Sequence, residues 1–147
     1  MLSCTEFIPL YSELFKFLER LEGKKGVIKY WEHISDTYVQ DLLGKCVEKD
    51  GLKGCWNYWA KSLNEEACDF KMELDEENEV FSIYMYGCPS RAIINKLSYM
   101  KPYEDYCGHC SVLYDRVLRK YGIELFKVDY SKVSECRCEE HYRKIKK

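Results

Sequence analysis

The sequence predicts an α+β protein, with a helical N-terminal half followed by a small antiparallel sheet with helices and a cysteine-rich site. Three observations lead there. Apolar residues recur at helical spacing as far as Asn64. From Cys68 the period drops to two, the spacing of a strand with one buried face. Five of the nine cysteines then crowd into the C-terminal part, at Cys88, Cys107, Cys110, Cys136 and Cys138.

The elements follow in order. Ser3 and Glu6 have the spacing of a capping box, whereas Pro9 belongs in a first helical turn and argues for a later start. Tyr11, Leu14, Phe15, Leu18 and Leu21 form a helical stripe that Gly23 stops. A short helix is expected over 27–33. Asp36 is the candidate cap of a third helix carrying Tyr38, Val39, Leu42, Leu43 and Cys46, and Asp50-Gly51 is a turn. Leu52, Trp56, Trp59 and Leu63 fall on one face of a fourth. Residues 68–74 alternate, 75–78 turn, and 80–86 (VFSIYMY) are rich in β-formers, so the pair reads as a hairpin. Helices are expected over 92–97 and 111–121, strands over 123–128 and 134–142.

The chain reads as a single domain, 1–147, with 1–64 a helical subdomain and 65–147 the cysteine-rich α+β part. Its 147 residues suffice for a core without disulfide staples. A hydrophobic fraction of 46% with 13 tyrosines excludes disorder. A net charge of -2, from 23 basic and 25 acidic residues, leaves no basic footprint for nucleic acid. No run approaches the roughly 18 apolar residues of a membrane span. The N-terminus lacks a basic leader region, and Glu6 and Glu13 interrupt its apolar positions, so no signal peptide is expected. The expected compartment is the cytoplasm, where thiols stay reduced. Nine cysteines cannot all pair within one chain.

The cysteines carry the chemistry. Cys107-Gly-His-Cys110 is a turn that can aim two thiolates at one centre, as in zinc and iron–sulfur sites. Cys136 and Cys138 are two apart, so on a strand both sulfurs would share a face. Cys88 lies between a strand and a helix start, where amides favour a thiolate. The expected metal ligands are Cys88, Cys107, Cys110 and Cys138, with Cys136 as a spare, and the group they hold is zinc or an iron–sulfur cluster. Cys88 is also a candidate nucleophile, and His109 a candidate proton carrier. His141 is a further possible ligand. Tyr103 and Tyr106, in the loop before the motif, are expected to line a binding pocket, and Ser90 and Arg91 to take a carboxylate. Cys4, Cys46, Cys55 and Cys68 stand singly and read as small apolar residues.

Two resemblances bear on function. From Tyr106 to Asp129 the chain resembles the active-site stretch of protein disulfide isomerases. That fold needs a strand leading into the motif and a proline turn, hairpin and helix after it. The chain has neither, so thiol–disulfide exchange is the lesser alternative. The wider arrangement resembles the L-2-amino-thiazoline-4-carboxylic acid hydrolase-like family. The resemblance rests on the helical first half, Glu66-Ala-Cys-Asp-Phe70 opening the hairpin, Tyr86-Gly-Cys-Pro89 closing it, and the Cys107 and Cys136-Arg-Cys138 motifs. It implies a hydrolase-like protein opening a small cyclic C–N or C–S substrate, with Cys88 at the cysteine–proline motif. The extra sulfur favours a bound metal or cluster, and a metal- or cluster-binding sensor or carrier is the alternative. The partner expected is a small-molecule substrate, with no nucleic acid and no membrane.

Overall fold

A computed structural model describes residues 4–146. Helix α1 (Cys4–Glu22) is followed by α2 (Lys24–Ile34), a π-helical stretch (Ser35–Gly44), α3 (Lys45–Asp50) and α4 (Leu52–Glu65). Then come strands β1 (Asp69–Asp75) and β2 (Val80–Gly87), helices α5 (Pro89–Lys96) and α6 (Gly108–Arg119), strand β3 (Ile123–Asp129), a 3-10 turn (Val133–Glu135) and strand β4 (Cys138–Lys144). The strands form one antiparallel sheet in the order β1-β2-β4-β3. The architecture is α+β, helical in its N-terminal half.

Several boundaries depart from the sequence expectation, each for a local reason. The Ser3 cap lies outside the described residues. Pro9 sits inside α1 instead of opening it. Ile8, Ser12 and Phe15 on the same helix are all buried, and that packing holds the helix across the missing amide. Asp36 caps nothing, because α2 runs through the π-helical stretch into α3 with Ser35 and Gly44 both in right-handed helical geometry. The Thr37 hydroxyl donates to the His33 carbonyl at 2.8 Å, the acceptor an α-helix would give the Thr37 amide, so the ladder widens there. Asp36 instead pairs with Arg116 of α6 and with Lys120 just after it, at 2.8 and 2.9 Å. Gly51, with φ 58° and ψ -135°, supplies the break before α4 that a side chain would resist.

Register decides which residues face inward. Along β4, Cys138, Glu140 and Tyr142 lie opposite Met85, Ile83 and Phe81 of β2, and all six turn toward the helices. Glu139 and His141, opposite Tyr84 and Ser82, lie on the other face. His141 is held there by the Ser82 hydroxyl at 2.9 Å and the Glu139 carboxylate at 3.4 Å, away from the cysteines. Helix α4 covers the inner face, with Trp59 packed against the Phe81 and Tyr142 rings at 5.5 and 5.4 Å. A second aromatic group, Phe15, Trp31, Tyr103 and Tyr106, joins α1 and α2 to the loop before α6.

Candidate thiol-lined site

Between α4, the inner sheet face and the starts of α5 and α6 lies a cavity of about 200 Å³. Five cysteines border it: Cys68, Cys88, Cys107, Cys110 and Cys138. Each arrives by a different local device. Cys88 ends β2 and caps α5, with Pro89 preset for the first helical position. Its amide donates to the Cys136 carbonyl at 2.9 Å, which fixes the loop. Cys107 caps α6, and the Cys110 amide returns to its carbonyl at 3.2 Å, closing the turn that brings both sulfurs to one side. Cys138 is the first residue of β4, turned inward by the sheet register.

All the cavity thiols are less acidic than a free thiol. Burial pushes Cys107 up to about 11, although the nearby Arg91 guanidinium pulls the other way. Burial drives Cys110 well above 9, helped by the Glu140 carboxylate and by Cys107, Cys88 and Cys138. Cys138 is raised by burial, then Glu140, Cys88 and Cys107. Cys88 is raised by burial too. The amides of Arg91 and Ser90 face its sulfur and oppose the rise, though neither forms a full hydrogen bond. Every pair within Cys88, Cys107, Cys110 and Cys138 is thus close enough for one thiolate to repel another. Four such groups cannot ionise together unless positive charge joins them.

The remaining wall combines aromatic rings with a few polar groups. Tyr58, Trp59, Tyr106 and Tyr114 supply the flat surfaces. Glu140 is a buried carboxyl whose oxygens accept from the Tyr130 hydroxyl, at 2.8 Å, and from the Tyr142 hydroxyl. Burial raises its pKa against those two donors. His109 sits among the rings of Tyr11, Phe15 and Tyr106, and burial lowers its pKa, leaving a neutral imidazole. Its Nδ1 contacts the Tyr106 carbonyl, which assigns the proton to Nδ1. Nε2 is left as an acceptor, 3.5 Å from the Cys110 sulfur.

Three sequence expectations are corrected here. Cys136 does not border the cavity. It follows the 3-10 turn in a left-handed conformation, φ 62°, ahead of β4, so it and Cys138 do not share a strand face. Its sulfur lies 3.5 Å from the Asn95 amide nitrogen instead. Tyr103 also turns away. Its amide donates to Ser12 at 2.8 Å and its hydroxyl to Glu19 at 3.1 Å, while Tyr106 does reach the cavity. Cys68, read as an inert apolar residue, borders the site, with its pKa pushed up to about 12 by burial, Glu66 and Cys88. The alternation that aligns Cys68 with Phe70 and Met72 was the signal for it.

Among the described residues, no three His, Cys, Asp or Glu side chains are grouped to hold a metal ion. The five cysteines are among the residues that line the cavity. No protein-family model, curated protein or solved structure matches the chain.

Proposed function

We propose that this protein is an iron–sulfur cluster protein that holds its cluster on Cys88, Cys107, Cys110 and Cys138. The observation that carries the reading is the convergence of these four thiols, from three separate stretches of chain, on one cavity that Cys68 also borders. A single zinc ion draws its sulfurs to about 2.3 Å from one centre, whereas a cluster spreads four thiolates around several irons. Thiols spread over the wall of a cavity suit the second donor set better than the first. The cavity, about 200 Å³, is smaller than sites for drug-sized ligands and suits a compact group. Arg91 offsets charge beside Cys107, and His109 Nε2 is placed to take the Cys110 proton. Such a cluster, with its iron positions closed by the four thiolates, would supply electron transfer.

The test is anaerobic reconstitution of the full chain with ferrous iron and sulfide. Cys88→Ser, Cys107→Ser, Cys110→Ser and Cys138→Ser should each lose or alter the visible absorption and the electron paramagnetic resonance of the reduced protein. Cys136→Ser should leave both unchanged. Equal behaviour of all five would overturn the ligand assignment.

A second reading is favoured by one observation, the Ser90 and Arg91 amides facing the Cys88 sulfur. On this reading the protein is a hydrolase like those its sequence resembles. The Cys88 sulfur adds to an electrophilic ring carbon of a small cyclic substrate, a ring C–N or C–S bond breaks, and the leaving heteroatom takes up a proton. Water then cleaves the covalent intermediate. Intact-mass detection of a Cys88 adduct with a 2-amino-thiazoline carboxylate, in metal-free protein, would favour it. No adduct at saturating substrate would dismiss it.

A further inference from the structure

Helix α1 carries two apolar faces, and the fold uses only one. Ile8, Ser12 and Phe15 are buried and Tyr11 and Leu18 pack on the core. Phe7, Leu10, Phe17 and Leu21 are instead 56%, 52%, 49% and 64% exposed. With the partly buried Leu14 they fall at 7, 10, 14, 17 and 21, a strict alternation of three and four. That spacing is the narrow a/d seam of a coiled coil, and a seam of this kind is covered by a second helix with the same repeat.

We propose that α1 is a homodimerisation helix, pairing antiparallel with α1 of a second copy of this chain. Taking Phe7, Leu14 and Leu21 as a and Leu10 and Phe17 as d, the e positions are Tyr11 and Leu18. Both are committed to the protomer's own core, so the g-to-e contacts of a parallel pair are not available. An antiparallel pair sets g against g along one flank and e against e along the other, so its g flank lies clear of the core, and Glu6, Glu13 and Arg20 occupy g. The register that stacks Leu14 on Phe17 and Leu10 on Leu21 of the second copy also sets Glu13 against Arg20, twice by symmetry. The alternative register, with Phe7 on Phe17 and Leu10 on Leu14, would set Glu13 against its own copy while bringing Glu6 to Arg20. Among the described residues Arg20 has no carboxylate partner and rests over the Phe17 ring at 6.0 Å, whereas Glu13 would share its carboxylate with Lys16, 2.5 Å away.

The exposed rings and leucines leave roughly 400 Å² of apolar surface per chain, hence about 800 Å² for the pair before the charged rim is counted. That lies at the low end of specific interfaces, so the dimer dissociates in the micromolar range, about 1–100 μM. This inference does not depend on the cluster.

Sedimentation velocity on the full chain from about 5 to 200 μM tests it. The mass should move from 17.6 kDa toward twice that value. Leu10→Glu with Leu21→Glu, both on exposed positions, should stay monomeric with an unchanged melting curve. Glu13→Arg and Arg20→Glu should each weaken the dimer about tenfold, and the double swap should restore it. A wild-type monomer at 200 μM, a dimer indifferent to the leucine changes, or charge variants that do not rescue one another would each overturn the proposal. So would a monomer that instead co-floats with anionic phosphatidylglycerol vesicles, which would assign the seam to a lipid surface.

Discussion

Adding one methyl group at Gly54 should unsettle the helix that walls the cavity. Gly54 is buried in α4 where that helix crosses the start of α3. A Cβ there would lie 2.2 Å from the Cys46 carbonyl oxygen, 2.5 Å from its carbon and 2.8 Å from the Val47 Cα. All three are backbone atoms, so relief requires a helix to move. Overpacking of this kind costs about 1–3 kcal/mol, with rigid backbone at the upper end. Alanine returns about 1 kcal/mol of helix propensity. The net loss for Gly54→Ala is about 2 kcal/mol, or about 4–8 °C in Tm for a chain of this size. Gly108→Ala is the control. The three atoms nearest its Cβ would all belong to the Asp105 carboxylate, the first 2.5 Å away, and that side chain can swing aside. Thermal unfolding by circular dichroism should show Gly54→Ala well below the wild type and Gly108→Ala within about 2 °C of it. A Gly54→Ala protein as stable as the wild type would refute the close α3–α4 crossing.

Three further outcomes are expected. Ser35 is fully buried and donates to the Leu113 carbonyl at 2.7 Å, so Ser35→Ala should cost about 1 kcal/mol in urea unfolding. Cys55, away from the cavity, has its pKa pushed up to about 12 by burial. Its stabilisation is complete below the unfolded value near 9 and is lost as pH rises through 12; at pH 10.5 about 2 kcal/mol is gone, and Cys55→Ala should flatten that part of the alkaline stability curve. Asp36 is held at about 2 by Arg116 and Lys120, so its contribution is present above pH 4 and fades as pH falls through 2. The site is exposed, and Asp36→Asn should remove less than about 1 kcal/mol of acid sensitivity.

Much of the fold was legible because period alone separates helix from paired strand. The alternation at 68–74 and the β-rich run at 80–86 became β1 and β2, and the Leu52, Trp59 and Leu63 face became the buried side of α4. The α1 stripe was read as one face although it merged two. Leu21 was grouped with Phe15, yet 3.6-residue geometry sends them to different sides, and only tertiary packing says which is covered. The π-helical stretch was not legible, since it depends on a local hydroxyl competing for a carbonyl. At the site, Cys107, Cys110 and Cys138 were legible from spacing and Cys88 from its place between a strand and a helix start. Cys136 was misplaced because a left-handed residue before β4 breaks the two-residue face rule. Cys68 was missed because a lone cysteine in an apolar alternation looks like any other small core residue. Arg91 was weighed only as a carboxylate binder, and Glu140 reaches the site only through sheet register.

The central claim is most directly tested by the iron and acid-labile sulfide content of the full chain purified without oxygen. A four-thiolate cluster predicts brown protein with iron and sulfide in equal amounts, about two to four of each per chain. Colourless protein that lacks both, and that takes up neither on anaerobic reconstitution, would contradict it.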